Sequence, residues 1–222
     1  MSAGLVAHES GDTLLRLSPT LVQPNDSSSD LIADKLGNLI SALGTRTGVG
    51  VNSNTQAGIT GVYMMDDHWG LELLAATPFR HGITARATNR LVVYSVGETK
   101  PLPPPTVSMQ FFPNAAENAW QPFIGVGVNC TGFFDKQTDG NFESVFGHYS
   151  IDLDNSWGLA ARIGFDDALS NSWGLKALAW WIDVDTKATV KSPTGVGLGV
   201  QSLQVDVQID PVVYQLGFYR KF

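Results

Sequence analysis

Apolar and polar residues alternate with a period of two through most of this chain, the spacing of strands whose two faces meet different surroundings. Eight such runs can be traced, over 13–22, 55–65, 69–81, 102–112, 121–134, 157–169, 173–187 and 205–222. Three of the connections are short: 66–68, 113–119 and 170–172. The other four, 24–53, 86–101, 135–151 and 192–199, are long and rich in Ser, Asp, Asn, Thr and Gly. Long and short connections alternate, so the long ones gather at one end of the sheet. Within the first, Leu31, Leu36, Leu39, Ile40 and Leu43 recur at helical spacing and predict an amphipathic helix over 30–43.

The run from Trp69 to His81 defines the problem. It sends Leu71, Leu73 and Ala75 to one face and Glu72, Leu74 and Ala76 to the other. A strand buried in a soluble core would not normally keep that glutamate, whereas one between lipid and a polar lumen can. The same division holds elsewhere. One face collects Ile59 and Tyr63, Val107 and Met109, Ile124, Val126 and Val128, Trp157, Leu159 and Ile163, Trp173 and Trp181, and Tyr214, Leu216 and Phe218. The other collects Gln56 and Thr60, Ser108 and Gln110, Gly125, Gly127 and Asn129, Arg162, Lys176 and Gln215. A soluble ligand-binding barrel would reverse this, with apolar residues inside. The pattern predicts an all-β fold: an eight-stranded antiparallel transmembrane β-barrel with long extracellular loops and short periplasmic turns.

Composition agrees. No apolar run approaches the roughly 20 residues of a membrane-spanning helix, but barrel strands need only about 9–11 tilted residues. A length of 222 residues suits one barrel domain, read as 8–222, and charged residues are only 16%. A net charge of -7 disfavours nucleic acid as a partner. Cys130 is the sole cysteine, excluding an internal disulfide and a cysteine metal cluster. Residues 1–7, ending at Ala7, read as a signal-peptide remnant or a leader, with cleavage leaving His8 first.

Candidate chemistry is sparse. His8, His68, His81 and His148 lack metal-ligand spacing and read as solvated or capping residues. Asp183, Asp185, Asp206 and Asp210 form either a cation- or lipopolysaccharide-binding patch or plain solvated rim carboxylates, the latter being preferred. Gly195 to Gly199 is followed by no helix and is no nucleotide loop. Without a nucleophile motif, cofactor or metal site, no enzymatic activity is expected. Parity does place Arg16, Glu72, Arg162 and Lys176 in the lumen, where opposite charges should pair into a salt-bridged plug, with ion conduction as the lesser alternative. Parity also puts Leu74 and Trp180 inside, just above them. Pro103, Pro104 and Pro105 cannot donate ladder bonds, and Pro78 faces them, so the seam between the third and fourth strands is read either as a lateral exit or as ordinary strand ends.

With the strands in place, an ordered set of strings resembles the OmpW family of outer-membrane barrels. They include His8 to Asp12, Asn54 to Gly58, Leu71 to His81, Leu102 to Thr106, Gln121 to Asn129, Ser156 to Gly158, Trp181 to Thr186, Asp210 with Pro211, and the terminal Phe222. The resemblance implies a monomer in the bacterial outer membrane, in contact with its lipid and lipopolysaccharide. It further implies passive uptake of small hydrophobic molecules, with Leu74 and Trp180 at the family's hydrophobic constriction. A structural or receptor barrel with a closed lumen, or a channel for small amino acids, are the alternatives. Three features depart from the family pattern: the longer first loop, an extra proline after Leu102, and Arg220 where an aromatic is usual.

Overall fold

Inside hydrocarbon every backbone N–H and carbonyl must find a partner within the sheet, which forces transmembrane strands to close into a ring. The computed structural model describes residues 6–25, 27–28, 32–33, 47–76, 81–87, 92–102, 106–138, 150–191 and 202–222. Its strands are, in chain order, β1 (Thr13–Gln23), β2 (Ser27–Ser28), β3 (Ile32–Ala33), β4 (Thr47–Val51), β5 (Asn54–Met64), β6 (Trp69–Ala76), β7 (His81–Ala87) and β8 (Val92–Leu102). They continue as β9 (Thr106–Phe111), β10 (Trp120–Thr138), β11 (Ser150–Leu153), β12 (Ser156–Ala168), β13 (Trp173–Ile182), β14 (Asp185–Lys191), β15 (Ser202–Gln208) and β16 (Val212–Lys221). β1, β5, β6, β9, β10, β12, β13 and β16 pair antiparallel in that order, and β16 returns to β1. The ring is a closed eight-stranded barrel.

The period-two pattern appears directly as burial. On β1, Leu14, Arg16, Ser18 and Thr20 point inward while Leu15, Leu17 and Leu21 point out. On β12, Ser156, Ala160, Arg162 and Asp166 are buried, whereas Trp157 is 75% exposed and Ile163 64%. These outward apolar side chains belong in lipid. At the short-turn end, Trp69 lies against Phe111 and Trp120 near Phe165, forming one aromatic girdle. Arg220 sits in that girdle, its guanidinium over Trp173 and Phe222 at 5.6 and 4.8 Å. A cation stacked on aromatic faces at the interface does the work of a further ring, which accounts for arginine there. The turns close by side-chain capping: Asp66 Oδ1 accepts from the amides of His68 and Trp69, both at 2.7 Å, and Ser170 Oγ from that of Trp173 at 3.1 Å.

The long connections differ from expectation. Much of 86–101 is strand: β8 pairs with β7 and with the upper part of β10, and β7 pairs with β4. On the other side β11, β14 and β15 form a second sheet, joined by β2 and β3. The described part of the predicted helix, Ile32–Ala33, is therefore a strand against Gln204 and Leu203, and the rest of 30–43 lies outside the described residues. Edge pairing supplies those backbone groups with partners that a solvated helix would have to make itself. The runs 173–187 and 205–222 each divide in two. The divisions lie at Asp183–Val184 and at Ile209–Pro211, where Asp210 takes a positive φ of 32°. Asp210 Oδ1 caps the break by accepting from the Val184 amide at 3.2 Å.

If Ile163 faces lipid, Ile163→Arg should cost about 2–4 kcal/mol of barrel stability in a denaturant titration in phospholipid vesicles. A change within about 0.5 kcal/mol, as for an ordinary solvated surface site, would contradict that placement.

Candidate functional site

The lumen is built in layers from inward-facing residues of successive strands. Its charged layer centres on Glu72 of β6. Arg16 Nη1 donates to Glu72 Oε2 at 2.8 Å and to Gln110 Oε1 at 3.2 Å, and Gln110 Nε2 donates to the same Glu72 oxygen at 2.7 Å. Arg162 Nη1 donates to Glu72 Oε1, and Arg16 Nη2 donates to Asp166 Oδ2. Phe123 lies beneath both cations, with the Arg16 and Arg162 guanidinium carbons 5.1 and 5.3 Å from its centroid. Room for Arg162 comes from Gly125, where a Cβ would stand 2.7 Å from Arg162 Nε. All four charged side chains are buried. Charges this dry persist only with partners, and removing one partner of such a pair typically costs about 3–5 kcal/mol.

Lys176 shares the lumen but not the ion pairs. Its ammonium donates to Gln215 Oε1 at 2.8 Å and to Thr60 Oγ1 at 3.3 Å, both neutral acceptors. Asp166 supplies the second carboxylate, which the sequence reading did not single out, although four residues beyond Arg162 on one strand means the same face.

Below the charges the lumen is shut by apolar groups: Leu14, Met64, Phe112, Phe123 and Tyr219, none above 1% exposed. His8 belongs to this plug, a correction to its reading as solvated or capping. Its ring is buried, edge-on to Phe112 at 4.8 Å, with Nε2 3.4 Å from Asp166 Oδ2. The segment before β1 folds up into the barrel mouth because Ala7 N donates to Ala116 O at 2.9 Å and Lys221 Nζ to Val6 O at 3.0 Å. A segment without periodicity gives no sequence signal for such a position.

Above the charges stands an apolar layer. Leu74 and Trp180 both point inward and are 7% and 1% exposed, in a cluster with Leu178, Ala160 and Val213. Trp180 lies opposite Arg162 in the β12–β13 register, its ring 4.6 Å from the guanidinium carbon. Leu74 lies opposite Thr60 on β5 and Thr106 on β9. Pro78, Pro103, Pro104 and Pro105 lie outside the described residues. At the rim, the carboxylates of Asp183, Asp185 and Asp210 come within 4.8 Å of one another, while Asp206 stands apart beside Lys187 at 3.7 Å.

Glu72→Ala should leave the buried Arg162 without a carboxylate partner and Arg16 with Asp166 alone, and lower barrel stability by about 3–5 kcal/mol. Ser108→Ala, at a buried hydroxyl without a protein partner, serves as the control and should change it little. Equal effects in a parallel denaturant series would contradict the central place of Glu72.

The sequence model of the OmpW family matches residues 9–222. Outer membrane protein W of Vibrio cholerae serotype O1 is 39% identical, with all of this chain and 93% of that protein covered. Outer membrane protein W of Escherichia coli K12 is 32% identical at the same coverage. The crystal structure of the outer membrane protein OprG from Pseudomonas aeruginosa superposes with a TM-score of 0.87 at 38% identity, covering 98% of this chain and 99% of that one. The inverted barrel, apolar outside and polar inside, thus has relatives with the same fold and location, and the chain belongs to the OmpW family of outer membrane proteins.

Proposed function

We propose that this barrel is a passive channel through which small hydrophobic molecules enter across the outer membrane, with Leu74 and Trp180 as its gate. One observation carries the reading: an apolar layer holding both residues overlies a dry ion-pair network that blocks the axial path. An apolar solute descending from the loop end gains contacts with Leu74, Leu178, Trp180 and Val213. Beneath them it meets paired charges and the aromatic plug, where it gains nothing and would have to break ion pairs. A way out through the wall avoids that cost. Among the described residues the pairing of β6 with β9 ends at Leu74 and Thr106, at the level of the gate. In sequence Pro103, Pro104 and Pro105 immediately precede Thr106 and Pro78 comes shortly after Leu74, and they suit a lateral exit, since proline cannot donate to the ladder. Among the described residues the closed ring leaves no unpaired transmembrane strand edge, which favours a monomer in the surrounding lipid and lipopolysaccharide. No step of this passage calls for catalysis or a cofactor.

Vesicles with lipopolysaccharide in the outer leaflet slow direct entry of apolar solutes and so allow a test. Wild-type protein should accelerate their uptake, and Leu74→Ala with Trp180→Ala should accelerate it further, about tenfold if truncation removes about 1.4 kcal/mol of barrier. No acceleration by any form for any apolar solute would favour a closed structural or receptor barrel instead.

A further inference from the structure

Counted without His8, the described lumen buries three cations, Arg16, Arg162 and Lys176, against two carboxylates, Glu72 and Asp166. Both carboxylates are engaged by arginine, and Lys176 reaches only neutral oxygens. With Lys176 protonated, the interior carries a surplus positive charge in a place where an unbalanced charge is expensive. A second, independent observation lies at the gate. Arg162 uses only Nη1, leaving Nε and Nη2 without a hydrogen-bond partner, and the indole Nε1 of Trp180 has none either. Arg162 is 5% and Trp180 1% exposed, and the ring lies across the guanidinium. With Nε packed against Gly125, Arg162 Nη2 and Trp180 Nε1 are the unused donors on two residues in direct contact.

We propose that the gate binds the carboxylate of a small monocarboxylic acid with an apolar tail, the tail lying among Leu74, Leu178 and Val213. This deepens the channel reading and rests on it. When Trp180 swings aside, Arg162 loses its aromatic cover, and the carboxylate replaces that contact by accepting from Arg162 while offsetting the surplus charge. Neutral apolar solutes lack this compensation. Zwitterions bring an ammonium group, and both oxygens of Glu72, the carboxylate that Arg162 engages, already accept hydrogen bonds, so the site discriminates against them.

The test uses the full chain in lipid nanodiscs and follows the Trp180 indole N–H resonance, assigned by its loss in Trp180→Phe. Hexanoate should shift it saturably, at a concentration about tenfold lower than 1-hexanol or 2-aminohexanoate requires. Lys176→Met, checked for folding by heat-modifiable migration, should abolish most of the preference for hexanoate over hexanol, and so should Arg162→Lys, which keeps the charge but lacks the guanidinium donors. Equal response to hexanoate and hexanol would reduce the site to a plain apolar pocket, and equal saturation by chloride would reduce it to a halide site; either overturns the proposal. So does the absence of any shift. If neutral apolar uptake in vesicles persists in those cases, the channel reading stands alone, and if that uptake is also absent, both fall.

Discussion

A charge placed in a slab of hydrocarbon has no solvent to turn to, so the lumen charges of this barrel can persist only by facing one another. Glu72 is the pivot, because its two oxygens engage arginines from opposite parts of the ring, Arg16 on β1 and Arg162 on β12. Those contacts tie strands distant in the hydrogen-bond order across the lumen, which backbone pairing cannot do. Asp166 adds a second link from β12 back to β1. Because this layer is dry and fully occupied by side chains, it also closes the axis. The same interaction therefore both ties the wall together and fills the middle of the lumen.

The remaining layers follow from that closure. The plug of Phe112, Phe123, Tyr219 and His8 keeps water of the short-turn side away from the ion pairs, and so preserves the low dielectric in which they are strong. Trp180 covers Arg162 from the other side. The apolar layer and the charged floor are thus in direct contact, since the Trp180 ring lies against the Arg162 guanidinium.

How much of this could be read in the sequence depended on how strongly a residue's position was fixed by the period of two. Parity placed Glu72, Arg16, Arg162, Lys176, Leu74 and Trp180 inside and the tryptophans at 157, 173 and 181 outside, because one slip of register would invert both faces at once. It could say that Lys176 lies in the lumen but not that its partners are Thr60 and Gln215, since cross-lumen contacts depend on strand tilt and stagger. Asp166 shares its face with Arg162, but the adjacent Asp167 blurs the alternation there. His8 precedes the first strand, and no repeat there reports an inward position. Beyond the rim the strands continue as two sheets in segments rich in Gly, Ser and Thr, whose alternation is too weak to declare them.

Underneath all of this lies the sorting of the indole rings between lipid and lumen. Single-tryptophan forms of the protein, reconstituted in bilayers with brominated acyl chains, measure it directly. A form retaining only Trp157 or only Trp181 should lose much of its fluorescence to the brominated chains, while one retaining only Trp180 should be little affected. Strong quenching of Trp180 alongside protection of Trp157 and Trp181 would mean that the faces are reversed, and the ion-pair core, the gate and the channel would all have to be abandoned.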